Sequence, residues 1–167
     1  RSIETILYPL SVEEVSANPT ELAANANIIM VRGGYPGMWK LSAETAFDRL
    51  SNIATNYLYR DAFSPKVLYD QTIINNLLRL LAYQIGSEVN YSELGRKLSI
   101  NNETVKRYID LLEKAFIIFR RNQYRRNQRA EIGKLRKIYF TDLGIRNALL
   151  DDFKPLELRN DVGALWE

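Results

Sequence analysis

The sequence predicts a mainly α-helical fold carrying one small β-hairpin, with three closely spaced helices and that hairpin arranged as a winged helix-turn-helix. Three observations point there. Apolar residues recur at helical spacing between residues 42 and 58 and again between 70 and 116. Side chains suited to N-caps stand just before those runs. Two β-rich runs, "FIIFRR" and "RKIYFTD", then flank a single basic segment.

The first stretch, "SVEEVSANPTELAANANIIMVRGG", reads as two short helices broken at Asn18-Pro19 and closed by Gly33-Gly34. Ser42 caps a helix with Ala46, Phe47, Leu50, Ile53, Ala54, Tyr57 and Leu58 on its apolar face; Thr45 makes only a partial capping box. Pro65 marks a boundary. Asp70 caps "QTIINNLLRLLAYQIG", which buries Ile73, Ile74, Leu77, Leu78, Leu81 and Ile85 and stops at Gly86. Asn90 caps "YSELGRKL", with Glu93 in the capping-box position. Asn101 or Asn102 caps "ETVKRYIDLLEKAF", whose stripe is Val105, Tyr108, Ile109, Leu112 and Phe116; Glu103 suits the positive end of its dipole. The hairpin follows. "GIRNALLDDF" is then a short helix, and "NDVGALWE" opens another.

With 167 residues, 46% hydrophobic and 26% charged, the chain suffices for one ordinary domain or two small ones. No apolar run approaches the roughly 18 residues of a membrane span, and no signal-peptide pattern is visible, so no membrane partner is expected. Cysteine and histidine are both absent. That excludes disulfides, thiolate metal sites and every Ser-His or Cys-His nucleophile pair, and points to the cytoplasm. The ends, Arg1 and "GALWE", read as cut from a longer chain. The net charge of +3 is uneven: residues 120–137 hold eight cations and Glu131, a net +7, which leaves −4 elsewhere. Such a block fits a polyanion or an acidic protein surface, or a solvated hairpin.

"RGGYPGMWK" (32–40) has the glycines and lysine of a phosphate loop but not the spacing. A P-loop needs lysine directly after its last glycine, whereas Met38 and Trp39 separate Gly37 from Lys40, and Pro36 removes an N–H donor. The segment reads as a turn. On the second helix of the helix-turn-helix, Asn102, Glu103, Lys106, Arg107 and Asp110 form the exposed face; Glu103–Arg107 and Lys106–Asp110 are i, i+4 partners that neutralise it. Tyr124 among Arg125, Arg126 and Arg129 suits base stacking, or a packed tyrosine with solvated neighbours. Asp142, Asp151, Asp152, Glu157, Asp161 and Glu167 show no metal spacing and read as caps and surface charge; no catalytic or metal residue is expected.

The segments "YPLSVEEV", "GGYPGMW", "NYLYRDAF", "LLAYQIGSEVNYSELGRKLSINNETVKRYIDLLEKAFIIFRR", "RAEIGKLRKIYFTDLGIRNALL" and "RNDVGALWE", in this order, resemble the C-terminal region of a large prokaryotic family of AAA-type ATPases. The resemblance covers essentially the whole chain. It implies a helical lid-like segment at 1–64, a winged helix-turn-helix with basic hairpin at 65–142, and at 143–167 the start of a truncated C-terminal domain with a restriction-endonuclease-like fold. The ATPase domain, which binds ATP and Mg, would precede Arg1 and be the nearest partner. Gly34-Tyr35-Pro36 matches a Gly-x-Pro that in related ATPases sets its proline against adenine. Of the family's acidic positions only Glu167 has a counterpart.

Two functions follow as expectations. One is a non-hydrolysing coupling region of a cytosolic ATPase, with no cofactor of its own and a nucleic-acid or protein partner met through Asn102, Lys106, Arg107, Arg125, Arg126 and Arg129. The other is a stand-alone winged-helix DNA-binding regulator.

Overall fold

A computed structural model describes residues 7–57, 70–121 and 136–167. Among the described residues there are seven α-helices and one three-stranded antiparallel sheet, so the protein is mainly helical. No helix among them is long and apolar enough to cross a membrane. Leu58, Pro65, Tyr124, Arg125, Arg126, Arg129 and Glu131 lie outside the described residues.

Helix α1 spans Pro19–Arg32. The expected break at Asn18-Pro19 is instead its start. Asn18 accepts the Glu21 N–H at 3.0 Å, and the Glu21 carboxylate accepts from the Ala17 N–H at 2.8 Å. Proline fits the first turn because its missing N–H would have had no helical partner. Residues 12–15 form turns, not a separate helix. Ser42 caps α2 (Ala43–Asn52), which runs into a π-helical turn at Ile53–Tyr57.

Asp70 caps α3 (Gln71–Tyr83), Asn90 caps α4 (Tyr91–Leu98), and Asn101, not Asn102, caps α5 (Asn102–Lys114). Asn102 instead donates its amide to Ser92 Oγ at 2.9 Å, tying α5 to α4. Strands β2 (Ile118–Arg121) and β3 (Arg136–Phe140) pair with Phe119 opposite Tyr139. A third strand, β1 (Glu88–Val89), is too short for periodicity to reveal and pairs with the far edge of β3, giving the order β1-β3-β2. Phe116 leaves the buried stripe: α5 ends two residues earlier, and Phe116 sits in the turn at φ +56°, 53% exposed.

Helices α6 (Leu143–Leu150) and α7 (Val162–Trp166) close the chain. The main core gathers Ile74, Leu77, Leu81, Leu94, Val105, Ile109 and Leu112 with Ile118 and Ile138 beneath the sheet. A smaller cluster holds Met38, Ala46, Leu50 and Ile145. Leu149 of α6 packs against both clusters. Helix α6 thus touches α1, α2 and α3 and joins the N-terminal helices to the three-helix unit.

Candidate functional site

The glycine loop after α1 is built around a carboxylate of the chain's own. Gly33 terminates α1 at φ +76°, a conformation that L side chains rarely adopt, and donates its N–H to the Ile29 carbonyl at 2.8 Å. A methyl group there would also overlap Asp142. The next N–H, of Gly34, donates to Asp142 Oδ2 at 2.7 Å in a buried contact. Asp142 is at once the N-cap of α6, accepting from the Ile145 N–H at 3.0 Å. The geometry that would suit a phosphate here holds a side chain 108 residues away in sequence.

Burial pushes the Asp142 carboxyl up to about 6, against the N–H groups of Ile145, Gly34, Gly144 and Tyr35, which favour its charged form. The Tyr35 phenol is raised by its own burial and then by Asp142. Pro36 is exposed and opens a short 3₁₀ turn, Pro36–Met38. Of the three expected nucleotide-proximal residues, Gly34 is therefore sealed inside, Tyr35 half-buried and Pro36 open to solvent.

Polar groups of α6 extend the joint. Asn147 donates its amide to the carbonyls of Met30 (2.8 Å) and Val31 (3.0 Å) in the last turn of α1. Arg146, 2% exposed, donates to the Ala82 carbonyl of α3 at 2.9 Å and to Asp161 at 2.5 Å. Arg159 donates to the same Asp161 at 2.8 Å. Arg159 first and Arg146 next hold the Asp161 carboxyl down to about 2.

The second candidate is the outer face of α5. Asn102, Lys106 and Arg107 are exposed there, as expected. A groove of about 430 Å³ runs beside Glu103, Lys106, Arg107, Asp110, Leu111 and Lys114. The expected i, i+4 pairs are absent from the ion pairs of the described residues. Asp110 turns to Arg120 of β2 (2.6 Å), which also holds Glu113, and the Arg107 guanidinium lies 5.6 Å from the Tyr108 ring. Burial alone would lower Arg120, but its bonds to Glu113 and Asp110 outweigh that and raise it. Asp110 is thus engaged by the sheet, and Lys106 and Lys114 keep their charge toward solvent.

Sequence reasoning missed the joint. Asp142 is the helix cap that the sequence suggests, but its bond to Gly34, the pairing of Asp161 with two arginines and the burial of Arg146 and Asn147 are not evident from spacing. The available signal was polarity inside "DLGIRNALL": a helix with adjacent Arg and Asn amid apolar residues needs buried partners for both. Among the described residues no group of three acidic, His or Cys side chains could hold a metal ion.

The chain belongs to the family described as a domain of unknown function (DUF8612), whose model matches residues 25–156, from within α1 through α6. It is 28% identical over 145 residues to uncharacterized proteins of Mycobacterium tuberculosis and Mycobacterium bovis, covering 85% of this chain and 33% of each relative. An uncharacterized protein of Haemophilus influenzae is 24% identical over 158 residues, covering 87% of this chain and 39% of that protein. The chain thus spans about a third of the length of these relatives. No solved structure matches it.

Proposed function

We propose that this chain is the lid and winged-helix region of a cytosolic AAA-type ATPase, and that it passes the nucleotide state to a partner held by the winged helix. The observation that carries this reading is the joint. The loop bearing Gly34-Tyr35-Pro36 is bonded to α6 through Asp142, and α6 is bonded to α3 through Arg146, so a displacement at the loop has a hydrogen-bonded route into the three-helix unit. The order α3-β1-α4-α5-β2-β3 and the strand order β1-β3-β2 support the winged helix-turn-helix assignment. The greater length of the relatives leaves room for a preceding domain that would bind ATP and Mg. Exposed Pro36 is where adenine would rest once that domain is in place. Pro36→Ala in the longer protein weakens ATP affinity severalfold on this account. Unchanged affinity returns the loop to a plain turn, and ATP hydrolysis by the 167-residue chain alone sinks the proposal.

The groove on α5 favours a second reading, contact with duplex DNA. Because Asp110 is engaged by Arg120, the cations Lys106, Arg107 and Lys114 face Glu103 as the remaining acid. Phosphate contacts of this kind make affinity fall steeply with salt. Binding of a mixed-sequence duplex that weakens on Arg107→Ala and on Arg125→Ala supports it; no binding at low ionic strength removes it.

A further inference from the structure

We propose that Asp142 is a proton-sensitive fastener that sets the position of the Gly34-Tyr35-Pro36 loop on α6. The geometry comes first. One carboxylate serves two elements: Oδ1 accepts from Ile145 at the start of α6, and Oδ2 accepts from Gly34 in the loop. The space for this contact is cleared by glycines on both sides, since a methyl group at Gly33 would overlap Asp142 and one at Gly144 would overlap the Arg32 carbonyl. No ion pair among the described residues involves Asp142; its charge is offset by backbone N–H groups. The ionisable groups on the elements that meet there are Arg32, Tyr8, Tyr35 and Arg146, with Glu21 in the first turn of α1, at the opposite end of that helix, and Lys40 exposed beyond the loop. The Arg32 guanidinium donates to the Leu41 carbonyl, Tyr8 is 66% exposed, and Arg146 is bonded to Ala82, Asn147 and Asp161. Tyr35 is the phenol whose own titration Asp142 raises.

The direction of the switch follows from linkage. A buried Asp142 titrates near 6, and one released to water near its ordinary 3.8. The fastened form therefore binds the proton more tightly, so acid closes the fastener and a rise through pH 6 loosens it. At neutral pH the loop is held by a buried charge with no salt-bridge partner among the described residues. It is the part of the joint most readily displaced by a ligand on the loop, a consequence that rests on the nucleotide reading above.

Amide hydrogen exchange on the 167-residue chain tests the fastener without nucleotide. The Gly34 N–H should exchange faster than that of Ile109 in the core. Its protection, corrected for the intrinsic rate, should fall roughly 20-fold between pH 4.5 and 7. Asp142→Asn should flatten that dependence and leave Ile109 the more protected amide. If Gly34 and Ile109 exchange at one rate at every pH in the wild-type chain, the loop opens only by global unfolding and the proposal fails; it fails equally if Gly34 protection is the same at pH 4.5 and pH 7. That wild-type comparison decides the matter even if the variant does not fold. In the longer protein, ATP should bind more weakly as pH drops from 7 to 5, and Asp142→Asn should remove that trend. Absence of ATP binding at all pH values would overturn the nucleotide reading while the exchange data still judge the fastener.

Discussion

The three-helix unit and the joint around α6 are both buried, yet they are held by different physics. In α3, α4 and α5 the contacts are apolar side chains such as Leu77, Leu81, Ile109 and Leu112, all within 1% of complete burial. Around α6 the buried positions include the polar and charged residues Asp142, Arg146, Asn147 and Arg159. Apolar packing is non-directional and tolerates small shifts with small losses. A charged hydrogen-bond network tolerates few, because each unpaired member keeps its full desolvation penalty. The first region is built to be stable, whereas the second is built to hold one arrangement and, when a partner is lost, to let go.

Truncation separates the two regimes. Leu112→Ala should cost about 3 kcal/mol in urea unfolding, with the same loss at pH 4 and pH 7. A loss that varied with pH would mean that α5 and the joint do not unfold independently. Asp161→Asn should cost about 2 kcal/mol, less than a fully buried pair because Asp161 is partly exposed, and it strips Arg146 and Arg159 of their shared carboxylate. Its pH signature is specific. Asp161 is held down to about 2, so its stabilisation is complete above the ordinary 3.8 and is lost as pH falls through 2. Asp142 runs the other way: raised to about 6, it favours the fold most below 3.8, and that contribution disappears as pH rises through 6. Midpoints measured from pH 2 to 8 should therefore lose their acid limb in Asp161→Asn and their slope between 4 and 6 in Asp142→Asn. Identical profiles for the two variants would show that the joint titrates as one unit.

The same contrast explains what could be read from the residues alone. Caps at Ser42, Asp70, Asn90 and Asn101 and the stripe through Val105, Ile109 and Leu112 are local: each needs only neighbours within four residues, so their spacing displays them. The Gly34–Asp142 and Met30–Asn147 contacts join residues 108 and 117 apart, and no local rule relates such positions. The glycine pair at 33–34 reads only as a turn from its spacing, and the carboxylate it binds is supplied by the chain itself 108 residues on. β1 was lost because two residues carry no alternation, and Phe116 because helical spacing continues past the residue where α5 stops.

The smallest expected effect lies on the legible side and sharpens the comparison most cheaply. Asn101 Oδ1 accepts the Thr104 N–H at 2.7 Å at an exposed helix start. Asn101→Ala should cost about 1 kcal/mol, the ordinary loss of an N-cap, with no dependence on pH. Asp70 makes the same kind of contact to Thr72 (2.9 Å) and Ile73 (3.2 Å), also exposed. Asp142 is an N-cap too, but a buried one that also binds a distant loop. If capping were all it did, Asp142→Ala would lose no more than Asn101→Ala. A loss clearly larger, together with faster exchange at Gly34 but not at Thr104, assigns the excess to the loop contact. Equal losses would reduce Asp142 to a helix cap and leave Asn147 and Arg146 to hold α6 by themselves.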